Sequence, residues 1–147
     1  MNLKKTLLVL IALAVAIQLV PIRRSNPPVT AEISGPPELL SVLRRVCYDC
    51  HSNETVWPWY SRVAPASWLV TRDVNEGRGH LNFSHWGDYP AGKQHKLRQE
   101  IWEEVEEDAM PPLQYRPFHP EASLDERDKN LIRNWSESSG TALGIIF

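Results

Sequence analysis

The chain has 147 residues, enough for one compact domain once an N-terminal segment is set aside. Its 16 basic and 18 acidic residues leave a net charge of -2, so no basic surplus points to nucleic acid. Twelve Pro and seven Gly beside six Trp describe a small, loop-rich body with a packed interior, and a total of two Cys excludes a multi-disulfide framework.

Lys4 and Lys5 precede an apolar run from Thr6 to Val20 that only Gln18 interrupts and Pro21 ends, the pattern of an export signal or signal anchor. Ala12-Leu13-Ala14 and Ala14-Val15-Ala16 offer small-x-small cleavage patterns, but a cut there leaves a greasy new terminus. Residues 1–21 therefore read as a membrane anchor for an exported domain, with a cleaved, soluble form as the alternative. The run reaches only about 22 Å at 1.5 Å per residue, against a hydrocarbon core near 30 Å. Leu3, snorkelling lysines and a thinned bilayer have to supply the rest.

Residues 22–37 read as a Pro-rich linker, an extended tether that carries Arg23, Arg24, Ser25 and Asn26. The domain is expected over 38–140, with a tail over 141–147. Pro36 and Pro37 suit the first turn of a helix whose apolar stripe, Leu39, Leu40, Leu43 and Val46, runs into Cys47. A second helix is expected from Pro65 to about Arg78 with Trp68, Leu69 and Val74 inward, stopped by Gly77 and Gly79, and a third from Lys93 to Glu107 with Leu97, Ile101, Trp102 and Val105 inward. Ser123-Leu124-Asp125-Glu126 has the Ser-x-x-Glu capping-box pattern for a fourth, with Leu124, Leu131, Ile132 and Trp135 available for burial and an end near Gly140. No repeat and no strand stands out. The predicted class is all-α, with about four helices and long loops that need something large and apolar at their centre.

Cys47-Tyr48-Asp49-Cys50-His51 has the Cys-x-x-Cys-His spacing of c-type haem attachment, in which two thiols bond the macrocycle and the next imidazole reaches the iron. Cysteines three apart at a helix end lie on one face, which is the physical reason for the spacing. A redox Cys-x-x-Cys would be expected beside a βαβ pattern, and a zinc site would need a second ligand pair; neither is present in the sequence. A plain Cys47–Cys50 disulfide would leave His51 unexplained.

The stretch Cys47 to Tyr60, with its Trp57-Pro58-Trp59-Tyr60 segment, resembles the bacterial haem-binding domain family of small cytochrome c-like proteins. The likeness continues through Val63-Ala64-Pro65, Trp68-Leu69-Val70, Arg72-Asp73-Val74, Gly77-Arg78, Leu81 to Ser84, Trp86, Ala109 to Pro112, His119-Pro120 and the helix closing at Trp135. It implies a membrane-anchored or periplasmic domain with one covalent haem c, sometimes met beside cytochrome c or di-haem peroxidase modules, and no known reaction.

Cys47 and Cys50 are thus the expected haem attachments and His51 the proximal iron ligand. Met110, the sole Met beyond the initiator, is the expected distal ligand because Pro111 and Pro112 stiffen its loop; His119, followed by Pro120, is the alternative. A gap-filling core Met is the bland reading of Met110. Trp57, Trp59, Tyr60 and Trp68, with Phe83 and Trp86, are expected to wall the haem or to pack as ordinary core. Arg62, Arg72 and Arg78 are candidate partners for its propionates, although ordinary surface roles fit each of them. His80, His85 and His95 lie in polar stretches and read as solvated. The acidic run Glu103 to Asp108 is a solvated face or a docking patch for a basic redox partner. The function expected is that of a non-enzymatic electron carrier with a redox protein partner and no catalytic residue. A haem sensor, a small-ligand module and a subunit of a peroxidase-type system are the alternatives.

Overall fold

The computed structural model describes residues 2–138. Gly140 and the tail 141–147 lie outside the described residues. Every regular element among those described is helical, as the sequence predicts.

Helix α1 spans Leu3–Ala16 and passes into a 3-10 turn at Ile17–Leu19. It has no buried residue and no polar face, so nothing in the domain covers it. No helix among the described residues is long and apolar enough to cross a membrane.

The segment after Pro21 has no helix before Pro37, as its prolines dictate, but it is not a free tether. The Thr30 and Ala31 N–H groups donate to the Ser84 carbonyl at 3.2 and 3.1 Å, and Ile33 N–H donates to Phe83 O at 3.0 Å. Ile33 itself is buried in the core. Backbone pairing satisfies this extended segment, and the folded body reaches back into what composition marks as linker.

Helix α2, Pro37–Val46, opens on a proline whose missing N–H costs nothing there and buries Leu39, Val42, Leu43 and Val46 at helical spacing. One further turn, α3 at Tyr48–His51, follows through Cys47. Helices α4, Ala66–His80, and α5, Ala91–Glu106, complete the middle of the chain, and α6, Glu126–Glu137, closes the described part. The α6 cap is not Ser123 with Glu126. Asp125 accepts from Asp128 N–H while the Asp128 side chain accepts from Asp125 N–H. Arg45 of α2 fixes that register by donating to the carbonyls of Glu121 and Ser123 and pairing with Asp128.

An aromatic column runs through the core. Tyr48 stacks on Phe83 at 5.4 Å, Phe83 on Trp86 at 5.9 Å, and Trp86 meets Trp135 at 5.5 Å, which ties α3 and the 3-10 turn Phe83–Asp88 to α6. Such pairs contribute about 0.5–1.5 kcal/mol each beyond the area they bury. Phe83 and Trp86 are thus core residues. Arg98 of α5 over Trp135, and Arg133 of α6 over Trp102, join the last two helices.

Candidate functional site

Helix α2 ends where the site begins. Cys47 N–H still donates to Leu43 O at 2.8 Å, and Cys47 O accepts from His51 N–H at 2.9 Å, so both cysteines and the histidine share little more than one turn. The two thiols are free.

His51 Nδ1 lies 3.0 Å from Gly77 O and 3.2 Å from Leu81 O. Carbonyls only accept, so Nδ1 carries the proton and Nε2 keeps its lone pair. Nε2 makes no hydrogen bond among the described residues. Burial holds the imidazole below its ordinary pKa, outweighing the two carbonyls that favour the charged form. A neutral, oriented imidazole with an open nitrogen is the state a metal ligand requires.

Helix α4 reaches this site because residue 77 is glycine. A Cβ there would fall 2.6 Å from Cys50 O and 3.2 Å from Cys50 Cβ. Gly77 and Gly79 do not stop the helix as expected; it continues to His80. Read along the sequence alone, a glycine near a helix end signals termination, and only the facing strand of chain shows that it signals close approach.

Burial pushes the Cys47 thiol up to about 12 and the Cys50 thiol up to about 11, with Asp49 and Asp73 adding to the second. Redox and zinc-binding cysteines need the opposite shift. Among the described residues no group of three or more His, Cys, Asp or Glu gathers to hold a metal ion. The open imidazole nitrogen of His51, about one turn from both thiols, is free to take the metal of a macrocycle.

Several residues outside the motif hold it in place. Asp49 accepts from Tyr115 O–H at 2.7 Å and from Val56 N–H at 2.9 Å. Arg78 donates to Ser52 O, Ser25 O, Asn26 Oδ1 and Thr55 Oγ1 at 2.7 to 3.1 Å, which stitches the N-terminal segment to the loop after His51. Its guanidinium therefore has a structural task rather than the carboxylate partner considered from sequence. Arg72 pairs with Asp73 and Glu76. His85 is not merely solvated: it meets Asn53, Thr30 and Asp88. Sequence reasoning missed Asp49, Gly77, Leu81 and Tyr115. Only the helix-interior position of Gly77 offered a signal.

Of the six aromatics expected at a pocket, Phe83 and Trp86 lie in the core and one, Tyr60, lines the cleft beside Cys50. Tyr60 stands there with Val56, Pro58, Val70, Val74, Tyr115 and His119. Trp57 is half-buried and donates to Asn26 Oδ1. Trp59 is 77% exposed, and Trp68 leaves α4 about 200° around the helix from Val70, on the opposite face. His119 has both ring nitrogens engaged, by Tyr60 Oη at 2.8 Å and Glu121 Oε1 at 3.1 Å, and its ring stacks on Tyr115 at 3.9 Å. Met110 is not a core residue. It is 37% exposed, follows α5 with its N–H on Glu104 O at 3.0 Å, and lines a second cleft with Pro111, Arg116 and Leu124.

In comparison with known families, the model described as Haem-binding domain matches residues 12–138. No curated protein and no solved structure matches the chain.

Proposed function

The chain belongs to the haem-binding domain family, and from that premise we propose that it is a c-type monohaem electron carrier of the bacterial periplasm. Bound haem supplies a one-electron ferrous/ferric couple. Cys47 and Cys50 hold it through thioether bonds, and His51 Nε2 is its proximal ligand. The observation that carries this reading is the placing of two free thiols within about one turn of a histidine whose Nδ1–H is fixed on Gly77 O and Leu81 O. Such an outer hydrogen bond sets the ring's orientation and basicity.

Met110 is the distal ligand in this reading. Its partial exposure leaves the thioether uncommitted to the core, and Pro111 and Pro112 stiffen the loop that carries it. His119 is the poorer candidate, since Tyr60 and Glu121 occupy both nitrogens. No catalytic residue is assigned. A redox protein receives or delivers the electron, and α1 anchors the chain to the inner membrane, cleavage giving the soluble form.

One observation favours a second reading, a small-ligand module. Tyr60, His119 and Glu121 form a hydrogen-bonded set at the cleft beside Cys50, where a ligand could find a proton donor. The reduced spectrum with and without carbon monoxide separates the two. A carrier with Met110 in place leaves the spectrum unaltered, and Met110→Ala gains gas binding and loses potential. Ready gas binding by the unaltered protein contradicts the carrier reading.

A further inference from the structure

Beyond its backbone pairing with Phe83 and Ser84, the N-terminal segment is tied to the 55–72 stretch by side chains. Gln18 Nε2 donates to Ala64 O at 3.1 Å while Ala64 N–H donates to Gln18 Oε1 at 3.0 Å. Arg24 adds a bond to Ser61 O at 2.7 Å, and Asn26 one to Thr55 O at 2.9 Å. The root of the bare apolar helix α1 is thereby fixed against the 55–72 stretch. That stretch exposes Trp59, Val63, Trp68 and Leu69.

Charge is segregated in the same way. The chain carries -2 overall, yet residues 17–31 and 55–72 hold four basic residues and no acidic one. Arg72 is answered by Asp73 and Glu76. Lys4, Lys5, Arg23, Arg24 and Arg62 make no ion pair among the described residues. Exposed tryptophan and leucine beside unpaired arginine, at the foot of an all-round apolar helix, form the composition of a lipid–water interface.

We propose that the exposed 59–69 surface docks on an anionic phospholipid bilayer, with Trp59, Val63, Trp68 and Leu69 at headgroup depth and Arg23 and Arg62 on lipid phosphates. This rests on the reading of α1 as an anchor. The Gln18–Ala64 pair is then the joint that sets the domain's orientation on the membrane.

Photolabelling tests it. The full haem-loaded chain is placed in phosphatidylethanolamine–phosphatidylglycerol vesicles containing a phospholipid with a diazirine near its glycerol end, and adducts are mapped by mass spectrometry. Adducts on both α1 and the 59–69 peptide are expected. Neutralising one interfacial charge with Arg62→Gln, an exposed position, should lower labelling of 59–69 relative to α1 about five-fold. Adducts confined to α1 overturn the docking surface and leave the anchor standing; adducts on neither overturn both. Equal labelling of 59–69 in purely zwitterionic vesicles and in the Arg62→Gln variant would overturn the electrostatic part.

Discussion

Gly77 lies so close to Cys50 that a β-carbon on it would sit 2.6 Å from the Cys50 carbonyl oxygen. Helix propensity alone makes Gly77→Ala stabilising by up to about 1 kcal/mol, whereas overpacking costs about 1–3 kcal/mol. The obstructing atom is backbone and cannot swing aside, so the contact wins. Gly77→Ala should lose about 2 kcal/mol in urea unfolding. It should also shift the reduction potential, because the His51 acceptor moves with the helix; a more stable variant with an unchanged potential would remove the close approach from the account.

Before haem is loaded, the two thiols should be sluggish. With pKa values raised to about 12 and about 11, their thiolate populations near neutral pH fall about 100-fold or more below those of an ordinary cysteine. Alkylation rates of the folded and the urea-unfolded chain measure this directly. Equal rates would mean that burial does not protect the pair.

Arg78 holds four oxygens, from Ser25, Asn26, Ser52 and Thr55. Arg78→Ala should cost about 2–3 kcal/mol and speed tryptic cleavage at Arg23 and Arg24 several-fold. Stability lost with unchanged cleavage would show that the guanidinium packs the loop but does not hold the N-terminal segment.

The His51 imidazole is held below its ordinary value by burial. As pH falls through about 6.5, the unfolded haem-free chain takes up this proton while the folded one does not. The unfolded state then binds more protons, so stability decreases with falling pH, beginning near the ordinary value and levelling once the depressed one is passed. Urea midpoints from about pH 7.5 down to about pH 5 should fall more steeply for the unaltered chain than for His51→Gln. Identical slopes would contradict the burial of a neutral ring.

Local periodicity made the helices legible. Leu39, Leu43 and Val46 predict α2, and Leu97 and Val105 predict α5, because a helix needs only its own spacing to be recognised. The attachment motif was legible for the same reason: its five residues are contiguous. What holds the motif was not. His51 finds its acceptors 26 and 30 residues away, and Arg78 reaches back as far as Ser25. Composition alone marked the Pro-rich segment as tether, since Ile33 is a single buried residue in a polar run and its pairing with Phe83 is non-local. The Ser123-to-Glu126 pattern hid the actual cap, Asp125 with Asp128, whose register depends on Arg45, 83 residues before Asp128 in the chain. Trp59 and Trp68 looked like pocket walls because aromatic character does not say which face of a helix or turn carries it.

The most direct test of the central claim is the mass of the protein purified from cells equipped for cytochrome maturation, measured after denaturation and reduction. The account predicts one haem still attached, neither Cys47 nor Cys50 open to alkylation, and loss of both thioether links in the Cys47→Ser/Cys50→Ser double variant. A chain that releases its haem on denaturation and alkylates at both sulfurs contradicts it.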